Sequence, residues 1–144
     1  MKKSNTLVKP KKKLEQHFLK SSDVAKQIVD CLDTENIFSI LEIGPGMGIL
    51  TQHIIDLNKN SYFIEIDKES VIYLKQKYNG IDENIIEEDF LKIDLKNFKS
   101  SIAVIGNFPY NISSQIIFKI IENRDLVDKL VGMFQLEVAK RICE

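Results

Sequence analysis

Five short apolar segments, residues 38–43, 61–66, 84–88, 102–106 and 130–135, alternate along the chain with stretches whose apolar residues recur at helical spacing. The strand-like segments are apolar on consecutive residues rather than on every second one. Such strands are buried on both faces, which points to a parallel sheet covered by helices. Parallel neighbours need crossover connections, and right-handed crossovers give a doubly wound α/β fold. The intervening helices are expected at 48–57, 68–78, 112–121 and 136–143. Another is expected from about Ser22, where Ser22 and Asp23 can cap a segment carrying Val24, Ile28, Val29 and Leu32. A chain of 144 residues is long enough for one such domain with a real core. In folds of this kind ligands bind beyond the carboxyl ends of the strands, near the point where strand order switches.

Charge divides the chain. Residues 1–20 carry seven lysines against one acid, Glu15, so the formal −1 of the whole leaves −7 on the remainder. Residues 1–13 are expected to be a disordered basic arm, and residues 14–144 the folded domain. A basic arm on an acidic body suits a polyanion such as RNA, and equally suits a solvated tail that only aids solubility. No apolar run approaches the ~20 residues of a membrane span, and no secretory signal is visible, so a cytoplasmic protein is expected. Cys31 and Cys143 lack CxxC spacing and read as reduced, partly buried thiols. Neither His17 nor His53 has a partner at ligand spacing, so no metal is expected.

The strand ends carry the chemistry. The first closes on "EIGPGMG", residues 42–48. Glycines permit a tight turn and a close approach of backbone to ligand. A dinucleotide site prefers GxGxxG, with pyrophosphate on the helix N-terminus. Here the spacing is GxGxG, through Gly44 and Gly46, with Glu42 before it. An acid there opposes pyrophosphate and suits a cationic ligand without phosphate, as S-adenosylmethionine is. The second strand closes on Glu65, about twenty residues later, where a carboxylate can accept both hydroxyls of a ribose. The nearby Asp67 reads instead as a helix cap. The third closes on Asp89-Phe90: the acid can accept from the exocyclic amine of adenine, and the ring or the backbone can flank the base. Taken alone, that stretch reads as an exposed acidic turn.

The fourth strand opens onto "NFPYNISS", residues 107–114. An aromatic amine is a poor nucleophile because its lone pair is delocalised into the ring. A side chain amide such as Asn107 and a backbone carbonyl can accept its hydrogens and favour a more tetrahedral nitrogen. Pro109 stiffens the turn and has no N–H to compete. Tyr110, or Phe108, can stack on the target base. The competing reading is a proline turn whose aromatics pack inward, and for Phe108 the two are evenly matched.

Together these residues resemble the ribosomal RNA adenine N6-dimethyltransferases, the small-subunit branch in particular. The marks are "EQHFLK", "LEIGPGMGILT", "IEID", "EEDFLKID", "GNFPYNISS" and "FQLEVAKRI", spread from about Leu14 to the last residue. The resemblance implies a Rossmann-like, class I S-adenosylmethionine-dependent methyltransferase fold. It implies transfer of methyl groups to N6 of adenine in small-subunit ribosomal RNA, as part of ribosome biogenesis. It also implies that His17 and Leu19 line the cofactor pocket and that Gly44 approaches the methionine part. Glu65 would hold the ribose, Asp89 the adenine, and Asn107 would stand where cofactor and target amine meet, beside Pro109 and Tyr110. Many relatives carry Asn where this chain has His17.

Family members continue beyond the fifth strand into further strands and a small helical domain. A fragment of a longer protein is therefore expected, with its sheet cut short after the fifth strand and with a monomer as its state. Three rivals stay open. One is a large-subunit ribosomal RNA adenine methyltransferase of the antibiotic-resistance type. The second is a non-catalytic RNA-binding module on the same fold. The third is a nicotinamide-dependent oxidoreductase, which the GxGxG spacing and Glu42 disfavour.

Overall fold

The computed structural model describes residues 22–108, 111–134 and 136–143. In chain order the elements are α1 (Ser22–Asp30), β1 (Ser39–Ile43), α2 (Ile49–Ile55), β2 (Ser61–Ile64), α3 (Lys68–Lys77), β3 (Ile85–Ile86), β4 (Ile102–Asn107), α4 (Ser113–Glu122), β5 (Val127–Met133) and α5 (Leu136–Cys143). All strand pairs are parallel and the sheet order is β3-β2-β1-β4-β5. The chain therefore winds outward from β1 to β3, then crosses back to β4 on the other side of β1. That reversal places the switch point between β1 and β4, the doubly wound arrangement expected from the sequence.

Alternation along each strand explains the two-sided core. Ile40 of β1, Phe63 of β2, and Ala103 and Ile105 of β4 face one cluster, with Ala25, Val29, Leu50, Ile54, Val71 and Leu74 from α1, α2 and α3. The intervening residues Leu41, Ile43, Ile64, Ile102 and Val104 face a second cluster with Phe90, Leu95, Phe108 and Ile116. Side chains of period two in the strands thus meet helices on both faces. Every residue of β1 is buried, as a central parallel strand requires.

Several expectations change in detail. In α1, Val24 is exposed and Ala25 takes the inward position, because the buried stripe runs through Ala25, Val29 and Leu32. Strand β3 is only two residues long. Strand β5 begins at Val127, three residues before the expected start, with Asp128 exposed on an edge strand. Cys31 and Cys143 are exposed rather than partly buried. His53 is half-buried, and its Nε2 lies 3.2 Å from the Ser22 hydroxyl. Residues 1–13, expected as a basic arm, lie outside the described residues, as do His17, Leu19, Pro109 and Tyr110. No helix among the described residues is long and apolar enough to cross a membrane.

Candidate active site

Register places the strand ends side by side. Ile43 of β1 lies level with Ile64 of β2 and with Gly106 of β4. Ile64 in turn lies level with Ile86 of β3. The next residues on these strands, Asn107, Gly44, Glu65 and Glu87, form a row across the carboxyl edge of the sheet. Asp89 follows two residues after Glu87.

The turn after β1 is built from left-handed glycines. Gly44, Gly46 and Gly48 have φ of 64°, 57° and 82°, a region that side chains disfavour. A Cβ on Gly44 would meet nothing within 4 Å, so the outer side of the turn is open. Gly48 is different: a Cβ there would lie 2.8 Å from the Tyr78 ring. The Tyr78 hydroxyl donates to Gly48 O at 2.8 Å, and Lys77 Nζ donates to Met47 O at 3.2 Å. The end of α3 thus grips two consecutive carbonyls of the turn. Local sequence gave no sign of this grip, since both partners lie thirty residues away.

Glu42 lies beneath the turn rather than on its surface. It is 1% exposed, and its Oε1 accepts from the Thr51 hydroxyl of α2 at 2.5 Å. Burial pushes its carboxyl up to about 8; the Thr51 hydrogen bond opposes the rise and the Glu65 charge adds to it. At neutral pH the group is therefore mostly protonated. The expected attraction of a ligand cation by an ionised Glu42 does not fit this placement, because the side chain is turned into the core toward α2.

Glu65 joins the second strand to the first turn. Its Oε1 accepts from Gly46 N–H at 2.8 Å and its Oε2 from Asp67 N–H at 3.0 Å. Burial raises its carboxyl, the backbone N–H groups of Asp67, Gly46 and Ile66 lower it, the Asp67 charge adds to the rise, and the net direction is upward. A carboxylate offers about four lone-pair positions, so acceptor capacity remains for a further donor such as a hydroxyl. The N–H that a dinucleotide site would aim at phosphate is here occupied by a carboxylate, and that arrangement opposes an anionic ligand at the turn. Asp67 caps α3: its Oδ2 accepts from Ser70 N–H at 3.1 Å and from the Ser70 hydroxyl at 2.8 Å. Ile66, between the two acids, is 68% exposed. A large apolar side chain beside Glu65 could cover one face of a planar base. Sequence reading missed it by treating residue 66 as part of the strand.

Beyond β3, Asp89 is half-buried and its Oδ1 accepts from Leu91 N–H at 2.9 Å. Phe90 is 4% exposed and packs into the core with Leu95 and Ile64, so its ring is not available to flank a base. Of the two expected possibilities only the backbone of this segment is left. Lys119 of α4 reaches the segment: Nζ donates to Phe90 O and, at 2.5 Å, to Ile93 O, and lies 4.9 Å from the Phe90 ring centre. Burial lowers the pKa of this ammonium against the opposing pull of Asp89 and Asp94.

At the end of β4, Asn107 is half-buried and level with Met133 of β5. Phe108 turns inward. It is 5% exposed, its ring centre is 4.9 Å from that of Phe134, and it lies against Gly106 and Gly132. Phe108 is therefore a core residue and not a stacking platform. Among the described residues no group of three His, Cys, Asp or Glu side chains is placed to hold a metal ion.

The sequence family described as ribosomal RNA adenine dimethylase matches residues 8–144. The chain belongs to that family. Among its relatives is the ribosomal RNA small subunit methyltransferase A of Flavobacterium johnsoniae, 52% identical over 95% of this chain and 53% of the relative. The enzyme of the same name from Parabacteroides distasonis is 51% identical over 94% of this chain and 52% of its own length. This dimethylase-family chain thus spans about half the length of the curated relatives it matches. Solved structures agree on the fold. The 23S rRNA methyltransferase ErmE superposes with a TM-score of 0.70 at 27% identity, covering 85% of this chain and 50% of that one. A dimethyladenosine transferase from Plasmodium falciparum superposes with a TM-score of 0.65 at 30% identity, covering 86% of this chain and 45% of that one. The family's class I methyltransferase fold is therefore present here through its first five strands.

Proposed function

We propose that this chain is the cofactor-binding and catalytic part of an enzyme that transfers methyl groups from S-adenosylmethionine to N6 of adenine in small-subunit ribosomal RNA. The observation that carries the proposal is the order of groups along the sheet edge. Asp89, Glu65, Gly44 and Asn107 follow one another from β3 through β2 and β1 to β4. With strands about 4.8 Å apart, that row spans roughly 14 Å. An acceptor for adenine, an acceptor for ribose, open backbone for the amino-acid portion and an amide for the target amine occur in the order the ligand's parts would need.

The residues present fit the cofactor. The open side of Gly44 leaves room for a ligand against the backbone. The Glu65–Gly46 bond disfavours phosphate there and leaves acceptor positions for hydroxyls. When bound, S-adenosylmethionine supplies a methyl group on a positively charged sulfur. Asn107 accepts a hydrogen of the target amine and, with a neighbouring carbonyl, orients the nitrogen lone pair toward the methyl. The amine's surplus proton passes to water, so no dedicated base is required. Positioning and these hydrogen bonds would account for most of the rate. Pro109 and Tyr110 complete the proposed clamp by stiffening the turn and stacking on an adenine swung out of its helix. His17 and Leu19 are proposed to line the cofactor pocket.

The large-subunit alternative is represented by the ErmE superposition at 27% identity. Identities near one half go with small-subunit methyltransferases and favour the latter. Calorimetry of the chain with S-adenosylmethionine tests the site: Glu65→Ala is expected to weaken binding at least tenfold, and equal binding by both proteins refutes the ribose assignment. Methyl transfer to isolated small and large subunits distinguishes the two substrates.

A further inference from the structure

Lysine side chains on helices ordinarily keep the ammonium in water and lay only the stem along apolar surface. Lys119 is half-buried, and its ammonium is spent on backbone carbonyls. It stands on α4, the helix that follows the Asn107 segment, and turns its head onto the loop that carries Asp89. Two of its three donors go to the carbonyls of Phe90 and Ile93, and the charge lies over the Phe90 ring.

The loop needs such an anchor. Strand β3 contributes only Ile85 and Ile86 to the sheet, so residues 87–94 leave the sheet after a two-residue ladder. Within the loop the bonds are local: Leu91 N–H to Asp89 Oδ1 and Lys92 N–H to Asp89 O, each at 2.9 Å. Local turns shape the loop but do not place it relative to the sheet edge. Burial of Phe90, packing of Leu91 and Ile93 against the same core cluster, and the two bonds from Lys119 do that.

We propose that Lys119 is a positioning residue that sets the base preference of the nucleoside pocket, by holding the 89–93 loop where the Asp89 carboxylate meets the exocyclic amine of adenine. The inference rests on the assignment of Asp89 made above. A donor-to-acceptor match at one atom is sensitive to small displacements, whereas general contact with a purine is not. Loosening the loop should therefore cost preference for adenine more than it costs binding of any purine nucleoside.

The test compares S-adenosylhomocysteine with its inosine counterpart, in which a carbonyl oxygen replaces the amine. Wild type is expected to prefer the adenine compound by about tenfold or more, the range of one hydrogen bond to a charged group. Lys119→Met should bring the two affinities within about threefold of each other, through loss on the adenine side alone. Lys119→Arg, which keeps charge and donors, should restore most of the preference. In the ligand-free protein, amide exchange at Leu91 and Lys92 should speed up in Lys119→Met, while exchange in α3 stays as in wild type. Lys119→Gln, able to donate to one carbonyl, should show the same loss in smaller measure and serves if the Met variant does not fold. Equal weakening of both compounds, or unchanged preference with unchanged exchange, overturns the inference. Loss of preference in Asp89→Ala but not in Lys119→Met overturns the role of Lys119 alone. Retained preference in Asp89→Ala, which removes the acceptor, overturns the adenine assignment, and this inference with it.

Discussion

Glu42 should make the fold's stability depend on pH in a direction that a single substitution reverses. Burial lifts its carboxyl from 4.5 to about 8 in the folded chain. Between those values the native state holds a proton that the unfolded chain has released. Stability therefore falls as pH rises through this window, and is fully recovered only below about pH 4.5. One proton corresponds to about 1.4 kcal/mol per pH unit, and the binding curves give a loss of about 2.5 kcal/mol between roughly pH 5.5 and 7.5. That is a sizeable part of the 5–15 kcal/mol typical of domains. Glu42→Gln keeps the shape, can still accept from Thr51 and cannot ionise. Any fixed cost of the amide is the same at every pH, so the informative quantity is the slope. Urea unfolding of both proteins at about pH 5.5, 6.5 and 7.5 should show the variant gaining about 2.5 kcal/mol on wild type across the series. Glu65, also raised, contributes in the same direction to both proteins, so the difference between them reports mainly Glu42. A difference that stays constant with pH would refute the buried, protonated Glu42.

Other substitutions separate the turn's two sides. Gly44→Ala should cost only about 1–2 kcal/mol for its left-handed backbone, because its Cβ meets nothing within 4 Å. It should nevertheless weaken S-adenosylmethionine binding by more than that stability loss explains, as calorimetry would reveal. Gly48→Ala should unfold the domain at lower urea than Gly44→Ala, since its Cβ would also lie 2.8 Å from the Tyr78 ring. Gly132→Ala should cost about 2–4 kcal/mol, because the added carbon would sit 2.7 Å from Gly106 O and displace the Phe108 ring. Asp67→Ala, which removes the cap on α3, should lower stability by about 1 kcal/mol in thermal unfolding.

Strands β1, β2 and β4 were legible because burial on both faces leaves consecutive apolar residues, a pattern no exposed element shares. Strand β5 was only half legible: as an edge strand it tolerates Asp128 and Lys129, which read as loop. The groups along the sheet edge stood out because an acid, a glycine turn or an amide has no packing reason to end a buried strand. Their supports did not stand out. Thr51, Tyr78 and Lys119 sit on or beside helices, where isolated polar residues read as solvated faces, and their partners are 9 to 30 residues away. The protonation of Glu42 was hidden for a related reason. Its charge is decided by how deeply α2 covers it, and that depth is a property of the assembled layers. Phe108 was ambiguous in sequence because an aromatic at a strand end packs or stacks with equal chemical plausibility, and Phe90 because its stretch alone reads as an exposed acidic turn; burial turned both rings inward.

The carboxylate of Glu65 latches Gly46 and Asp67 with its two oxygens before any ligand arrives. If Glu65 holds the ribose as proposed, loop shape and sugar recognition depend on one carboxylate and cannot evolve separately. A glutamine at this position would have one oxygen to accept with and a nitrogen that only donates. One of the two latches would then face a donor, and the turn would lose a tie at the proposed ribose position.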